Sequence, residues 1–255
     1  MPSARSSSAT AVSSTPSLSR LEAIAYDFWC APEVEELDGW RLRFGYGVTG
    51  RANSVWPNHD GTMPLADKLE RAEQWYAERG RPTLFQVTEA ARPEGLSDVL
   101  LARGYEWRGV PVSVETAPVA EITRRSSGDA ELEGEPDDAW VELWIGTRRF
   151  DRADIARQIL TSSPGRTTFA RIGDLAVGRG VVVGEWLGIT SMATVPAARR
   201  RGHARAIVHA LARWAAESGA RQALLQVEET NVVARRLYAG VGFVPSHSYR
   251  YCMER

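Results

Sequence analysis

The clearest periodic pattern of apolar residues lies between residues 203 and 218. Apolar side chains recur there on one stripe at helical spacing, which predicts an amphipathic helix over His203–Ser218. Gly219 follows directly and predicts a left-handed residue that closes this helix. Apolar runs on either side predict strands over Glu185–Val195 and Ala223–Val227. The region therefore has the order strand, turn, helix, strand.

The rest of the second half divides into short elements by the same reasoning. Further helices are predicted over Asp138–Ile145, Ala153–Leu160 and Asn231–Ala239. Further strands are predicted over Arg166–Ile172, Leu175–Val183 and Phe243–Met253. Asp138 and Asp151 stand where they can cap the first two helices.

The first half repeats this order of elements. Strands are predicted over Trp40–Phe44, Arg51–Trp56, Thr83–Thr88 and Val110–Glu115, with helices over Leu65–Tyr76 and Leu96–Ala102. The order strand, helix, strand, helix, strand recurs in both halves with little residue identity, which indicates a structural repeat. The pattern predicts an α/β fold of two similar units, each a mixed central sheet flanked by helices.

Two segments lack the apolar residues that a packed core needs. Residues 1–19 are rich in Ser, Ala and Thr and are predicted to be a disordered tail, with a transit peptide as the weaker interpretation. Residues 126–137 are acidic and contain glycine, which is typical of a linker. The predicted domains are therefore 20–125 and 138–255.

The composition excludes several classes of function. The 255 residues carry 31 basic and 32 acidic side chains, a net charge of −1, so no excess positive field is available to hold nucleic acid or an anionic membrane. No apolar run approaches the roughly 20 residues that span a bilayer. Cys30, Cys252 and four scattered histidines predict neither a disulfide framework nor a metal site. We expect a cytoplasmic protein that is a monomer or a homodimer.

The segment from Val195 to Arg205 is the strongest candidate for chemistry. A strand ends, Pro196 interrupts its ladder, and a glycine-containing turn opens directly into the helix at His203. The first turn of a helix has unsatisfied N–H groups and the positive end of the helix dipole. Gly202 lets a ligand approach the backbone closely. Arginine contributes positive charge at four positions, namely Arg199, Arg200, Arg201 and Arg205. These features favour a pyrophosphate site over a solvated basic turn.

Two motifs in this region resemble the signatures of the GNAT acetyltransferase superfamily. The segment Arg199-x-x-Gly202-x-Ala204 resembles its acyl-CoA-binding Q/R-x-x-G-x-G/A motif. The segment Asn231-x-x-Ala234-x-x-Leu237-Tyr238-x-x-x-Gly242-Phe243 resembles its N-x-x-A-x-x-L-Y-x-x-x-G-F signature. The resemblance covers residues 138–255. The first half resembles the superfamily only in element order, and the whole chain is similar to bacterial tandem GNAT proteins with a degenerate first repeat.

The resemblance implies an acetyl-CoA site in the second half and assigns its residues. Main-chain groups of Ala193 and Val195 would pair with the pantetheine arm like an added strand. The amides of Arg200–Arg205 would hold the pyrophosphate, and Asn231 would contact the pantetheine or cap its helix. For His203 the amide, and not the imidazole, is expected to matter. The implied cofactor-binding residues are Ala193, Thr194, Val195, Arg200, Arg201, Gly202, His203, Ala204, Arg205, Asn231, Ala234 and Tyr238. No metal is implied.

Three residues are candidates for catalysis. Tyr238 would lie near the sulfur and protonate the departing thiolate, since a thiol with a pKa of about 8.5 needs only modest help as a leaving group; a core aromatic is the alternative. Glu185 and Glu228 are candidate bases, with strand-end solvation as the alternative for each. Some members have a glutamate five positions before Asn231. Here that position is Gln226, which cannot act as a base, so a water chain is a further alternative.

The implied activity is transfer of an acetyl group from acetyl-CoA to a primary amine. Direct attack in a ternary complex is expected, because no cysteine or serine nucleophile is placed beside a base. The acceptor is a small-molecule amine or a peptide amine. Two other functions stay open: a sensor or scaffold that binds acyl-CoA without turnover, and an acyltransferase for a longer acyl-CoA. Arg51, Asn53 and Ser54 form a polar strand face or line an acceptor cleft between the halves.

Overall fold

The computed structural model describes residues 16–124, 128–146 and 152–255. Its strands are β1 (Glu33–Leu37), β2 (Trp40–Phe44), β3 (Val55–Trp56), β4 (Leu84–Val87), β5 (Glu106–Pro118), β6 (Glu131–Glu133), β7 (Arg166–Ile172), β8 (Ala176–Val183), β9 (Trp186–Thr194), β10 (Gln222–Glu228) and β11 (Val244–Met253). Its helices are α1 (Leu18–Asp27), α2 (Leu65–Ala77), α3 (Leu96–Ala102), α4 (Val119–Thr123), α5 (Asp138–Gly146), α6 (Ala153–Thr161), α7 (His203–Glu217) and α8 (Val232–Ala239). No helix within these ranges is long and apolar enough to cross a membrane.

All eleven strands join one mixed sheet, in the order β1-β2-β3-β4-β11-β5-β10-β9-β8-β7-β6. β11 lies between β4 and β5 and is antiparallel to both, and β5 is antiparallel to β10. Strands of the two halves are therefore interleaved at the centre of the sheet. The parallel pairs in the described sheet are β3–β4 and β9–β10. The central strands have the order β4-β11-β5-β10. When each strand is replaced by its counterpart in the other half, β4 by β10 and β5 by β11, the same order results, read in the opposite direction. This is expected for a structural repeat. The predicted α/β class is confirmed.

Helices cover both faces of the sheet. One face, which we call the α7 face, carries α7 together with α2, α3, α4 and α8. The other, which we call the α1 face, carries α1 together with α5 and α6. Side chains alternate between the faces along each strand, so that Leu225 of β10 packs with α7 and Leu224 with α1. The predicted stripe of α7 is buried, with Ile207 and Leu211 fully inaccessible. Each such side chain contributes about 1.5–3 kcal/mol through burial.

Two predicted elements differ in conformation from the observed chain. Arg51–Asn53 forms a 3-10 turn instead of the start of a strand, because the Asn53 side chain bonds main-chain groups of Gly45, Gly47, Val48 and Thr49. A side chain that bonds nearby backbone offers it an alternative to a strand ladder. In the predicted linker, residues 131–133 form the edge strand β6, which pairs with β7.

Helix boundaries differ at two further places. The predicted tail lies outside the described residues up to position 15, but α1 already begins at Leu18, with Ser17 accepting the N–H of Arg20. Asp137, and not Asp138, caps α5, since it accepts the N–H of Trp140 at 2.7 Å. The predicted cap Asp151 lies outside the described residues.

Candidate active site

β9 and β10 pair over only four residues and then separate. Their parallel pairs run from Trp186–Gln222 to Ile189–Leu225. β9 continues to Thr194 and β10 to Glu228 without pairing with each other. We call the gap beyond the Ile189–Leu225 pair the splay. It exposes main-chain edges of two strands in the interior of a sheet, where an extended ligand can pair with them.

A β-bulge at the end of the paired segment explains the separation. Ser191 and Met192 of β9 stand opposite the single residue Gly178 of β8, and Ser191 has a left-handed φ of 53°. A bulge bends the strand that contains it and ends regular pairing. The Ser191 hydroxyl is buried and has no hydrogen-bond partner in the described part of the chain. It therefore leaves an unsatisfied polar group close to the splay.

The main-chain groups on the free edge of β9 differ from those that the family resemblance implied. Val195 donates its N–H to the Leu175 carbonyl at 2.9 Å, on the β8 side. Ala193 points the same way, because hydrogen-bonding groups alternate along a strand. The main-chain groups of these two residues therefore face β8, and pantetheine pairing through them stays a prediction. Thr194, which lies between them, directs its N–H towards the splay, and its carbonyl accepts from Arg199 Nε at 3.3 Å.

The loop between β9 and α7 gathers unused N–H groups. None of the six consecutive N–H groups from Arg200 to Arg205 donates a hydrogen bond to a residue that the structure describes. Arg200 and Gly202 have left-handed φ values of 62° and 87°, and left-handed residues in such a turn direct successive N–H groups towards one point. α7 begins at His203, so its dipole adds positive potential at the same place. The loop is therefore an anion cradle.

An open cleft of about 550 Å³ lies in front of this loop. Five of the predicted cofactor-binding residues line it, namely Arg200, Arg201, Gly202, His203 and Arg205. A Cβ on Gly202 would meet no atom within 4 Å, so the space in front of the amides is free. The Nε2 atom of His203 is buried without a partner among the described residues. Unsatisfied donors, arginine charge and free volume together fit a pyrophosphate.

The second motif begins at a helix cap and ends in the core near the splay. Asn231 caps α8, because its Oδ1 accepts the Ala234 N–H at 3.1 Å. Tyr238 is buried in the cluster that also contains the Ile189–Leu225 pair. Its ring packs edge-on against Phe243, with centroids 6.0 Å apart. The capping alternative for Asn231 is thus observed, and Tyr238 shares a core cluster with the last paired residues.

The two candidate bases lie at opposite ends of the paired segment. Glu185 is exposed, and its carbonyl accepts the N–H groups of Arg221 and Gln222. Five residue steps separate it from the splay, roughly 16–17 Å along a strand. Glu228 ends β10 three residues past the last parallel pair, is exposed, and shares the α1 face with Gln226 two residues earlier. The structure therefore brings Glu228, and not Glu185, towards the splay.

Side chains from distant segments meet on the α1 face of the splay. Arg51 donates from Nη1 to Gln226 Oε1 at 2.5 Å. Beside them Glu22 and Gln86 line a cavity of about 10 Å³, room for one water molecule. Glu22 and His247 form a buried pair at 2.7 Å. No sequence pattern indicated a role for Glu22 or His247, because 225 positions separate them and neither stands in a motif.

The described ranges contain neither a metal centre nor an activated thiol. No group of three or more His, Cys, Asp or Glu side chains there is arranged to hold a metal ion. Burial raises the pKa of Cys30, to which the charge of Asp27 adds, and burial also raises the pKa of Cys252. A raised pKa lowers the fraction of nucleophilic thiolate at neutral pH.

The interleaved sheet, the splayed parallel pair and the amide cradle define a GNAT-type acyltransferase. Residues 15–252 match the family model described as "Probable histone acetyltransferase Rv0428c C-terminal", and the chain belongs to this family. It is 30% identical to the uncharacterized N-acetyltransferase YobR of Bacillus subtilis over 246 residues, which cover 92% of this chain and 98% of YobR.

Solved structures show the same fold. A GCN5-related N-acetyltransferase from Kribbella flavida superimposes with a TM-score of 0.61 at 14% identity, covering 88% of this chain and 90% of that one. A tandem GNAT protein from the clavulanic acid biosynthesis pathway superimposes with a TM-score of 0.59 at 12% identity, covering 74% and 69%. Together with the family match over residues 15–252 and the similarity to YobR, this fold identifies the protein as an acyltransferase of the GNAT superfamily.

Proposed function

We propose that this acyltransferase moves an acetyl group from acetyl-CoA to a primary amine by direct attack in a ternary complex. The observation that carries the proposal is the set of six unused N–H groups from Arg200 to Arg205 at the start of α7. Such a set binds a pyrophosphate, and acetyl-CoA, the co-substrate of GNAT acetyltransferases, carries one. Apart from Gly128 and Asp129, the residues that line the cleft belong to the second predicted domain, 138–255.

Residues of this chain would bind the donor at three places. The amides of the cradle and the side chains of Arg200, Arg201 and Arg205 would hold the phosphates. The free N–H of Thr194 would pair with the pantetheine arm at the splay. The unsatisfied Ser191 hydroxyl gives the same region a further polar contact. An orphaned buried hydroxyl costs about 1–3 kcal/mol, so a ligand that bonds it recovers that free energy.

The two faces of the sheet divide donor and acceptor. The cleft that holds the cradle is lined by α7 and by Leu237 of α8, on the α7 face. The α1 face of the same splay carries Gln226 and Arg51. Direct attack needs the amine nitrogen over one face of the planar thioester, close to the acetyl carbon, and the donor already occupies the α7 face. The acceptor therefore approaches from the α1 face, where the first domain, 20–125, supplies Arg51.

Proton transfers accompany the attack. The amine nitrogen bonds the acetyl carbon, the carbon–sulfur bond breaks, and the ammonium proton leaves through water to Glu228, which is exposed on the α1 face. Tyr238 gives its proton to the departing thiolate and is reprotonated from solvent. The raised pKa values of Cys30 and Cys252 disfavour an acyl-cysteine intermediate.

Thiol release from acetyl-CoA, measured over a panel of small and peptide amines, tests the proposal. We expect amine-dependent release and a mass increase of one acetyl group on the acceptor. Binding of acetyl-CoA without release over the whole panel would favour the sensor. Faster release from butyryl-CoA than from acetyl-CoA would favour the long-chain acyltransferase.

A further inference from the structure

Three arginines cluster on the α1 face beside the splay. Arg51 lies at Gln226, the first residue of β10 beyond the parallel pairs. Arg179 of β8 donates to Thr190 of β9, the last residue before the bulge, at 3.3 Å. Arg43 of β2 is buried and lines the small cavity that Gln226 also lines. Residues from both halves thus place three guanidinium groups around one point of the sheet.

None of these guanidinium groups forms an ion pair in the described part of the chain. Arg43 donates to the Ser54 carbonyl, the Ser54 hydroxyl and the Gln86 amide oxygen. Arg179 is fully buried and donates to the Phe28 carbonyl and to two hydroxyls, while its Nε has no partner. Arg51 donates to an amide oxygen. Burying a cation without a counter-charge is costly.

The one carboxylate of the cavity already has partners. Glu22 accepts from Gln86 at 3.2 Å and bonds His247 at 2.7 Å. Gln86 separates it from Arg43, and it forms no ion pair with Arg51. The pKa of Arg179 is lowered to about 9, chiefly by burial and in part by the nearby charge of Arg51. The cluster therefore has an excess of positive charge.

The geometry fixes the Arg51 guanidinium and leaves it open to a ligand. It stacks on the Trp29 indole with its central carbon 4.7 Å from the ring centroid. The indole is in turn held by a hydrogen bond from its Nε1 to Thr49 at 3.1 Å. Arg51 uses Nη1 for Gln226 and makes no hydrogen bond from Nε or Nη2 to a residue that the structure describes. The side chain is half-buried, and neither atom is among the buried polar atoms that lack a partner, so both donors keep access to solvent.

We propose that the acceptor amine carries a carboxylate and that Arg51 binds it at the splay. This inference rests on the proposed acetyltransferase function and names its substrate class: amino acids and related amines with an acidic group a few bonds from the nitrogen. A planar guanidinium held on an indole is suited to bidentate recognition of a carboxylate. Since the cavity has room for one water only, the carboxylate binds the outer side of Arg51. The same charge disfavours a basic peptide.

Matched pairs of acceptors test the proposal. Thiol release is measured with a set of amino acids and with the carboxamide of each, which removes the negative charge and little else. We expect kcat/KM to be at least tenfold higher for the acid. The variant Arg51→Gln should raise KM for the acid about 10- to 100-fold and raise KM for the carboxamide by a much smaller factor, because a neutral amide makes only a weaker hydrogen bond to the guanidinium. Arg108→Gln, which removes an exposed arginine of β5, is the control and should behave like the parent.

A second measurement keeps the inference testable without turnover. The ligands are carboxylic acids that match the preferred acceptors but lack the amine. If no acceptor reacts, the amine-free analogues of all the tested amino acids are used. Each acid is titrated in a thermal melt with acetyl-CoA present. Stabilisation that Arg51→Gln abolishes and Arg108→Gln retains supports carboxylate binding even if the proposed reaction fails. Equal rates for acids and carboxamides, stronger stabilisation by inorganic phosphate, or a preference for a lysine-rich peptide would each overturn the proposal.

Discussion

Gln86 of β4 and Gln226 of β10 occupy equivalent positions in the two halves of the sheet, and both side chains line the same cavity. Each follows the last residue of a parallel pair, Val55–Phe85 in the first half and Ile189–Leu225 in the second. The strand exchange through β5 and β11 brings these positions together at the centre of the molecule. The site at the splay is therefore built by both halves.

This interleaving predicts that the second half alone does not fold as a stable monomer. In a chain from Gly128 to Arg255, β11 would lose β4 and β5, and β10 would lose β5. Strands with unpaired edges associate or aggregate. We expect no cooperative melt and no acetyl-CoA binding by calorimetry, although both motifs lie in this segment. Co-expression with residues 16–124 should restore both. A monomeric fragment with the affinity of the full chain would show that the interleaving is dispensable.

The sequence predicted local elements well and long-range pairing poorly. β2, α3 and β7 have the predicted bounds, and α7 begins at His203 as expected, because periodicity and turn residues are local signals. Nothing local indicates that β11 inserts between two strands of the first half. The repeat does have a residue signal, since Leu84-Phe-Gln-Val matches Leu224-Leu-Gln-Val in three of four positions. Comparing the halves residue by residue would have paired Gln86 with Gln226.

The candidate site was predictable in the same uneven way. The cradle follows from a proline, a glycine and the start of a helix, all within one segment. The main-chain groups on the free edge of β9 could not be predicted in this way, because the bulge at Ser191 changes which of them face the splay. The acceptor side, with Arg51 and the Glu22–His247 pair, depends on contacts between residues far apart in the chain. Only the folded sheet brings them together.

Replacing Gly202 tests the cradle. Gly202→Glu places a negative side chain in front of the amides, where a Cβ has open space. We expect acetyl-CoA binding to weaken at least tenfold, about 1.4 kcal/mol. Gly219→Glu is the matched control, because Gly219 closes the other end of α7 with the same φ of 87° and equally open space. Both variants carry similar backbone strain, so equal binding by the two would remove the phosphate assignment.

The candidate bases can be separated by a pair of substitutions. Glu228→Gln should lower kcat about 10²-fold if this carboxylate takes the amine proton. Glu185→Gln changes an exposed glutamate at the far end of the paired segment and should leave kcat within a factor of two. Steady-state rates at saturating acetyl-CoA measure both. Equal rates for the two variants would leave a water chain to solvent as the proton path.

Asp38 should make stability depend on pH at its acidic limit. Its carboxylate accepts the N–H groups of Thr62 and Met63, each at 2.9 Å, and pairs with Lys68 at 3.4 Å. These bonds, the two backbone ones first, lower the pKa of Asp38 to about 2. Because the pKa is lowered in the folded state, the ionised carboxylate stabilises the fold at pH values above its ordinary pKa of about 3.9. This stabilisation disappears as the pH falls towards 2. Asp38→Asn should therefore melt below the parent at pH 6 and approach it near pH 2.5. Asp67→Asn, which changes an exposed neighbour, is the control.

Tyr238→Phe decides whether the motif tyrosine is an acid or a packing residue. The ring keeps its edge-on contact with Phe243, so acetyl-CoA affinity should be nearly unchanged. If the hydroxyl protonates the departing thiolate, kcat should fall by 10²–10⁴-fold, about 3–5 kcal/mol of barrier. A purely structural tyrosine would instead change the melting temperature and leave turnover within a few-fold.

Product release can hide a slower chemical step, so single-turnover rates with the best acceptor give the cleaner comparison. A leaving thiol of lower pKa needs less proton donation, so a thioester with an acidified thiol should recover much of the lost rate in the variant. Recovery of this kind assigns the hydroxyl to the leaving group, whereas an equal loss with both thioesters contradicts that assignment.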